Sequence, residues 1–537
     1  MNESCANSTA HAAAPVVANA LEGQRSGPLW LVWLALFACF TILYGLTANR
    51  GVQWQDSGFH ILRALEGEVV NPLGLALSHP LHHYLARLAI AMGLFPPGFA
   101  ATLISAVAGA LAVANVFGCA RALTGRIGPA LFAGVSLGLA NTFWHLATLT
   151  ESYTLAAALL AAECWCLVEY LKNGRHGALV AAGFLNGLGV SNHLLALLTT
   201  PVVGCVVVHA ALRRDVRRRT AIAALVVWLA GAALYGALVG GEILASGEVF
   251  RTLRSALFGH TYADEVLNLR LISQGTWISL GFVVLSFPNA LLPAAAMGMV
   301  SDRRRAGMRS ARRALTAGVV LHALFVLRYP VPDQHYFLLP LFTLLCIFGG
   351  LGAEFFVSRL GARGRRRSVA IAAALLLVTP IFYAFWLPAA RRLDVLKDAE
   401  RHKPYRDDYV AAFVPWCVVE RSAERMASRA LELAEDRGLV LVEDRMGMFA
   451  VQAKALMTGS GAVVRMAPEV DAATLGRMVH EGRPVVLVPS RKDSPRTPPA
   501  VGQWRRVDDL YVLAVEAPKE PAENPTTGGG VPSPDGG

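Results

Sequence analysis

Apolar residues occur in long runs over most of the chain and in short runs towards its end. From Leu29 to about Pro388 these runs are roughly 15 to 25 residues long, enough or nearly enough to cross about 30 Å of hydrocarbon as helices. About eleven runs are centred near Ala35, Leu111, Val135, Leu159, Gly187, Val203, Trp228, Val284, Val319, Cys346 and Leu377. The pattern predicts an α-helical polytopic membrane protein with about eleven transmembrane helices.

The composition agrees with a membrane protein and argues against a nucleic-acid partner. Of the 537 residues, 54% are hydrophobic and 16% charged, whereas soluble domains carry about 25% charged residues. The formal net charge of +11 does not mark a nucleic-acid surface, because Lys and Arg are concentrated in every second connection between the apolar runs. These basic connections hold Arg121 and Arg126, Lys172 and Arg175, 213–219, 303–313 and 359–367.

The positions of the basic connections also predict the orientation of the chain. Basic loops stay in the cytoplasm, which places the polar segment 1–28 there as a cytoplasmic tail and everything after the last run outside. That segment lacks a signal-peptide pattern, so we interpret the first run as an uncleaved anchor. We expect an integral protein of a bacterial inner membrane, surrounded by membrane lipids.

The end of the chain has a different pattern from the membrane part. Residues 29–388 are predicted to form the transmembrane domain, 389–518 a small extracytoplasmic α/β domain, and 519–537, rich in Pro and Gly, a disordered tail. Short apolar segments predict strands at Leu439–Val442, Val463–Met466, Val485–Val488 and Tyr511–Val515. Cys417 is the single cysteine of the exported domain, so that domain has no disulfide of its own.

Polar and ionisable residues cluster in the predicted outward connections. Ionisable groups near the hydrocarbon are costly, so several of them at one membrane face predict a functional site. The candidates from this argument are Asp56, Glu151, His193, Arg328 and Asp333.

Each candidate also has a purely structural explanation. Asp56 could cap a helix that starts near Ser57, and Glu151 could stabilise a helix amino terminus. Arg328 could be an end residue that reaches the interface. His79 and His83 have the spacing of a zinc pair, but no third ligand follows at a convincing distance, so a metal is left open.

The order of the motifs, however, resembles that of one family. The motifs are Asp56-Ser57-Gly58, Leu75 with His79-Pro80, Phe143-Trp144 with Glu151 and Tyr153, Gly187-Leu188-Gly189 with Asn192-His193, and Asp333-Gln334 with Tyr336-Phe337 and Leu339-Pro340. The series resembles a bacterial polytopic membrane protein family related to the eukaryotic transmembrane protein O-mannosyltransferases. More distantly it is similar to the C-type superfamily of glycosyltransferases, which depend on lipid-phosphate sugars. Phe59-His60 and Leu81 to His83 depart from the family pattern, and these departures concern acceptor preference.

The resemblance implies an inverting glycosyltransferase. Such an enzyme moves a sugar, mannose among the candidates, from a polyprenyl-phosphate donor to a hydroxyl of an extracytoplasmic protein or glycan. The resemblance implies Asp56 as the catalytic base and substrate binding by Glu151, Tyr153, Asn192, His193, Arg328, Asp333 and His79. Arg328, His193 or a divalent metal could stabilise the departing phosphate. No P-loop, GxGxxG or CxxC pair is present in the sequence, and a lipid-linked donor requires none.

Two functions from other classes stay open. A membrane transporter or lipid-linked glycan flippase should show paired inverted halves with broken helices at the midplane, and the hydropathy shows no such pairing. A non-catalytic scaffold would use the exported domain and would leave Asp56 as a helix cap.

Overall fold

The computed structural model describes residues 29–260, 263–268, 270–271, 274–301, 306–397, 400–493 and 503–514. The predicted tails, 1–28 and 519–537, lie outside the described residues.

Residues 29–392 form a bundle of helices. The helices are α1 (Leu29–Thr47), α2 (Gln55–Glu66), α3 (Pro80–Ala91), α4 (Pro97–Thr124), α5 (Ile127–Gly138), α6 (Asn141–Ala147), α7 (Tyr153–Asn173), α8 (His176–Asn192), α9 (Thr200–Leu212), α10 (Arg218–Ser246), α11 (Val249–Phe258), α12 (Ala263–Leu267), α13 (Gln274–Ser286), α14 (Leu291–Val300), α15 (Ala306–Arg328), α16 (Leu339–Val357) and α17 (Ala362–Arg392). Within the bundle, 3₁₀ turns occur at Leu75–Leu77, Leu194–Leu198 and Gln334–Leu338.

Within the described residues, seven helices are long and apolar enough to cross a membrane, or up to nine if each of two bent pairs is one crossing. The seven are Leu29–Thr47, Pro97–Thr124, Tyr153–Asn173, Arg218–Ser246, Gly307–Arg328, Gln334–Val357 and Ala362–Arg392. The bent pairs are α5 with α6, which turns by 65°, and α13 with α14, which turns by 100°. The helical polytopic class predicted from the sequence is therefore confirmed.

The predicted number of about eleven crossings is not confirmed. The runs centred near Gly187 and Val203 lie in α8 and α9, which have 17 and 13 residues. A span needs roughly 20 residues, so neither helix reaches that length alone. The chain turns between them at His193 and through Leu194–Leu198, which divides the apolar sequence into short helices.

Helices α8 and α10 touch through their backbones. A Cβ atom on Gly187 would lie 2.1 Å from the carbonyl oxygen of Trp228, and one on Gly231 would lie 2.5 Å from that of Phe184. Small residues let membrane helices approach this closely. The contact fixes α8 along the stretch that leads to Asn192.

The carboxy-terminal part of the chain, predicted above to be exported and called the exported domain from here on, contains a five-stranded sheet with helices. The strands are β1 (Leu439–Val442), β2 (Val463–Met466), β3 (Val485–Val488), β4 (Gln503–Val507) and β5 (Leu510–Ala514), and the helices are α18 (Asp408–Phe413), α19 (Ser422–Ala434), α20 (Arg445–Thr458) and α21 (Ala472–His480). The strand order is β2-β1-β3-β5-β4, in which β1 pairs in parallel with β2 and β3, and the β3–β5 and β5–β4 pairs are antiparallel.

The helix α2 shares a hydrophobic core with this exported part. Buried Ile61 and Leu62 of α2 belong to the same cluster as residues of α19, α20 and the sheet. The Phe59 ring stacks on Phe449 of α20 at 4.3 Å, and the Trp54 indole N–H donates to Ser422 Oγ at 2.7 Å. The exported domain therefore packs directly on the helix that carries Asp56.

Candidate active site

A cavity of about 450 Å³ lies where α2, the bundle and the exported domain meet. Seven of the eight predicted site residues line it: Asp56, His79, Glu151, Tyr153, His193, Arg328 and Asp333. They come from five separate segments of the chain, so the fold brings together residues that the sequence spreads over almost 280 positions. Asn192 is not part of the lining and is fully buried beside it.

Asp56 lies in the first turn of α2 and its side chain is accessible from the cavity. The helix begins at Gln55 with Trp54 as its cap residue, and no side chain forms a cap hydrogen bond. The capping explanation for Asp56 is therefore wrong. Because protein surrounds the cavity, burial raises the pKa of Asp56 to about 6, and the nearby Asp333 carboxylate adds to this rise.

The turn before Asp56 explains the glycine of the Asp-Ser-Gly motif. A Cβ atom on Gly58 would lie 2.1 Å from the carbonyl oxygen of Gln53, so the chain can fold back over the first turn of α2 only with glycine at this position. The Gln53 side chain is itself fixed, since it donates to Thr102 Oγ1 at 2.8 Å and accepts from the Thr150 N–H at 2.9 Å. These contacts hold the start of α2 against the bundle.

Glu151 lies beside Asp56 in a different environment. Ser57 Oγ donates to Glu151 Oε1 at 2.6 Å, and the Glu151 N–H donates to Ser105 Oγ at 2.9 Å. Burial raises the pKa of Glu151 well above its usual value, and the charge of Asp56 raises it further. These effects favour the neutral form of Glu151. Two neighbouring carboxyl groups in different environments can take different roles in a reaction.

Asp333 forms an ion pair with Arg401 of the exported domain. Arg401 Nη2 is 3.4 Å from Asp333 Oδ1, and the guanidinium also contacts Gln55, the residue before Asp56. Burial raises the pKa of Asp333, while Arg401 and Arg406 oppose the rise. Neither Gln55 nor Arg401 was predicted as a site residue. The one sequence signal for Arg401 is the basic, aromatic stretch that follows the last apolar run.

His79, Asn192 and His193 form one connected group. His79 Nδ1 donates to the Asn192 carbonyl oxygen at 2.9 Å, and the His79 and His193 rings are 4.6 Å apart. His193 Nδ1 accepts from the Leu195 N–H at 3.2 Å, while Asn192 Nδ2 donates to the Ser152 carbonyl oxygen at 3.0 Å. Asn192 thus fastens His79 to the end of α8. Burial lowers the pKa of His79 to about 4, which keeps its ring neutral.

The described part of the chain contains no group of three or more His, Cys, Asp or Glu side chains placed to hold a metal ion. In the suggested zinc pair, the Nδ1 atom of His79 is already engaged by the Asn192 carbonyl. His60, which was not predicted, also lines the cavity, with its ring 5.7 Å from that of His79.

Arg328 and Tyr153 line the cavity together with many apolar residues. Arg328 Nη2 donates to the Val266 carbonyl oxygen at 3.0 Å, which leaves other donors of the guanidinium for a ligand. The Tyr153 ring packs 5.1 Å from His193 and 5.3 Å from Phe337. The apolar lining comes from Leu194, Leu195, Leu197, Leu198, Leu257, Phe258, Leu267 and Phe325.

The chain is similar to known proteins both in sequence and in fold. The profile of the family described as dolichyl-phosphate-mannose-protein mannosyltransferase matches residues 78–235, which include His79, Glu151 and His193 but not Asp56. Among curated proteins no sequence matches significantly.

Three solved structures show how far the likeness of fold extends. ArnT from Cupriavidus metallidurans, bound to undecaprenyl phosphate, has a TM-score of 0.56 at 16% identity, over 90% of this chain and 98% of that one. The arabinofuranosyltransferase AftD from Mycobacteria has a TM-score of 0.49 at 15% identity, over 90% of this chain and 40% of that one. The S. cerevisiae Pmt1-Pmt2 complex, bound to the sugar donor, has a TM-score of 0.31 at 15% identity, over 44% of this chain and 36% of that one. The fold assignment rests on ArnT, and with the matched segment it confirms the predicted resemblance.

Proposed function

We propose that this protein, which has the fold of ArnT and a segment matched by the mannosyltransferase family profile, is a glycosyltransferase that transfers a sugar from a polyprenyl phosphate to an extracytoplasmic hydroxyl group. The transfer inverts the configuration at C1. Mannose is the sugar that the description of the matched family favours, and undecaprenyl phosphate, the lipid in the ArnT structure, is a polyprenyl phosphate of the class proposed here.

Asp56 acts as the general base of this reaction. Its carboxylate takes the proton of the acceptor hydroxyl while the hydroxyl oxygen attacks C1 of the sugar, and the bond from C1 to the phosphate oxygen breaks with its electron pair left on the phosphate. A glycosyl phosphate already has a good leaving group, so one carboxylate suffices. In an inverting reaction the base lies on the face of the sugar opposite the leaving group. General-base help of this kind contributes about 10²–10⁴ in rate.

The observation that carries the proposal is that Asp56 and Glu151 line one cavity in different environments. Burial raises the pKa of Asp56 to about 6, so its side chain is ionised at neutral pH and still basic enough to accept a proton. Burial and the charge of Asp56 raise the pKa of Glu151, which favours its neutral form. A neutral Glu151 can hold sugar or acceptor hydroxyls without repelling the departing phosphate. Tyr153 supplies a further hydroxyl in the same cavity.

Arg328 binds the phosphate of the donor. Three carboxyl-bearing residues, Asp56, Glu151 and Asp333, line the same cavity, and any of them that is charged repels a phosphate. Among the residues that the structure describes, Arg328 is the cation in the lining, and its position among apolar side chains strengthens its interaction with an anion. His193 adds a hydrogen-bond donor, since its Nδ1 accepts and its Nε2 therefore carries the proton.

The reaction takes place on the extracytoplasmic side of a bacterial inner membrane, with the amino terminus in the cytoplasm. This orientation rests on the arginine-rich connections. Reporter fusions should be cytoplasmic after Arg219 and Arg313 and extracytoplasmic after Asp264 and Glu443. An extracytoplasmic signal at Arg313 would contradict it.

The test of the function is transfer by the purified protein in lipid nanodiscs. It should move sugar from a polyprenyl-phosphate sugar to an acceptor and be inactive with sugar nucleotides alone. Mass spectrometry of exported proteins and envelope glycans, from cells with and without the protein, identifies the acceptor as the species that loses a hexose. Transfer from a nucleotide sugar in a lipid-free assay would overturn the proposal.

A further inference from the structure

Arg401 reaches from the exported domain to Gln55, which precedes Asp56 in the chain, and to Asp333, whose charge acts on Asp56. Its Nη2 lies 3.4 Å from Asp333 Oδ1, and its Nη1 lies 4.0 Å from Met446 Sδ, at the edge of the cavity. With the Gln55 amide turned so that its oxygen faces the guanidinium, that oxygen accepts from Arg401, with Nη2 at 3.3 Å. One side chain therefore links the segment before Asp56 to the segment that carries Asp333.

The backbone around Arg401 is held firmly on the exported domain. The N–H groups of Arg401 and His402 both donate to Asp408 Oδ2, at 2.9 and 2.8 Å. Lys403 pairs with Asp444, the cap residue of α20, and the Lys492 N–H donates to the His402 carbonyl oxygen at 2.8 Å. The Arg401 guanidinium is thus carried by a backbone segment that several contacts hold in place.

Arg401 contacts the backbone segment of Asp56 through Gln55, the residue directly before it. Its φ of +58° lies in the left-handed region that favours glycine, so the backbone directly before Asp56 is strained. Such a conformation persists only where surrounding contacts enforce it. The Arg401–Gln55 contact is one of them.

We propose that Arg401 is a positioning residue that clamps Gln55 and Asp333 and so fixes the place and the ionisation of Asp56. The clamp rests on the proposed function, in which Asp56 is the base. The exported domain is then a working part of the catalytic centre, although its sheet lies outside the cavity.

Arg401 is not the only ionisable group in this region. The groups that interact with Asp56 or with its partners are Glu151, Tyr153, Asp333, Tyr336, Arg401 and Arg406. The charge of Asp333 raises the pKa of Asp56, and Arg401 in turn lowers the pKa of Asp333. Removal of the positive charge of Arg401 therefore raises the pKa of Asp333, so that this carboxyl group keeps its proton to higher pH.

The first test compares Arg401→Gln and Arg401→Lys with Arg391→Gln. Arg391 pairs with Asp407 on the exposed surface, so its variant is a matched control for loss of an ion pair. In Arg401→Gln we expect turnover to fall roughly 10- to 100-fold, because a small misplacement of a catalytic group has this effect. The KM for the donor should stay nearly constant, since Arg401 does not line the cavity. Arg401→Lys keeps the positive charge, so the carboxyl groups of Asp56 and Asp333 should titrate as in the wild type. Turnover should stay low, because an ammonium lacks the planar fork that holds both Gln55 and Asp333.

The second test needs no substrate. A hydrophobic carbodiimide modifies protonated carboxyl groups, and mass spectrometry measures the summed labelling of Asp56 and Asp333 against pH. Labelling in the wild type should fall as the pH passes through about 6, and in Arg401→Gln it should persist to higher pH. An unchanged titration, or full turnover in Arg401→Lys, overturns the clamp. If the wild type transfers no sugar from any donor yet the titration shifts, the proposed function fails and the contact of Arg401 with the carboxylate pair stands.

Discussion

The cavity has two parts of opposite chemistry. One part carries Asp56, Glu151 and Asp333, and these carboxyl groups are close enough that the charge of one raises the pKa of another. The other part is lined by leucines of the turn Leu194–Leu198 and by apolar residues of α11 and α12, with Arg328 as the cation. The first part suits a molecule with many hydroxyl groups, and the second suits a hydrocarbon chain that ends in an anion.

This difference determines how a donor is oriented. A phosphate beside several carboxylates is repelled, whereas beside Arg328 it is attracted, and both effects are strong in a partly dry cavity. The sugar therefore points towards Asp56 and the lipid towards the leucines. Substitutions in the carboxylate part should therefore lower turnover, and substitutions in the apolar part should also weaken donor binding.

The largest effect is expected for Asp56→Asn in the carboxylate part. Turnover should fall by about 10²–10⁴, because asparagine cannot accept the proton, while donor binding should persist. Thermal stability at pH 7.5 should not fall, since the raised pKa shows that the ionised side chain is unfavourable there and the amide removes that charge. Asp436→Asn, which lies on the exposed surface and is not part of the lining, is the control. Wild-type turnover in Asp56→Asn would refute the assignment of the base.

The next effect is expected for Arg328→Gln in the apolar part. Loss of a charge-assisted hydrogen bond to phosphate should lower kcat/KM for the lipid donor by roughly 10- to 100-fold, from about 1.5–3 kcal/mol. The loss should appear in donor binding as well as in turnover, in contrast to Asp56→Asn. Arg251→Gln, which removes an exposed pair with Glu248, controls for loss of charge. Equal donor affinity in Arg328→Gln and the wild type would contradict the orientation.

A smaller effect is expected from pH alone. The base must be ionised, and the pKa of Asp56 is raised to about 6, so kcat should be full above that value and fall about tenfold per pH unit below it. Asp333→Asn removes a charge that raises this pKa, so the acid limb should move to lower pH. An acid limb in the same place in both proteins would show that Asp333 does not act on the base.

The smallest effect is expected for Asn192→Ala, which lies outside the lining. The variant loses the hydrogen bond to the Ser152 carbonyl but keeps its own carbonyl for His79. We expect about 1 kcal/mol lower stability and only a few-fold change in turnover. A loss as large as that of Asp56→Asn would give Asn192 a direct role.

The sequence predicted the exported sheet better than the membrane crossings. The strands β1, β2 and β3 begin and end where they were predicted, because short apolar runs between polar segments are unambiguous. β4 was missed, since this edge strand carries Arg505 and Arg506 and is largely exposed. Hydropathy does not reveal bends between helices. The number of crossings could therefore not be predicted where helices meet at 65° and 100°, or where the apolar sequence forms the short helices α8 and α9.

The order of the motifs along the chain predicted which residues share the site, but the sequence did not predict contacts between residues that are far apart in the chain. Motifs in a fixed order identified residues that line one cavity, but their roles stay predictions. Arg401 was missed because its partner Asp333 is 68 residues away and nothing local marks the pair. His60 was overlooked because it stands where the family has a different residue.

The close approach of Gly187 and Gly231 also fixes the place of His193 in the cavity. Two helices that meet through backbone atoms have no side chain between them that could compress or reorient. The end of α8, and with it the His193 ring, therefore keeps a fixed distance from α10. A single added methyl group at Gly187 would push the two helices apart and move the ring relative to the rest of the cavity lining.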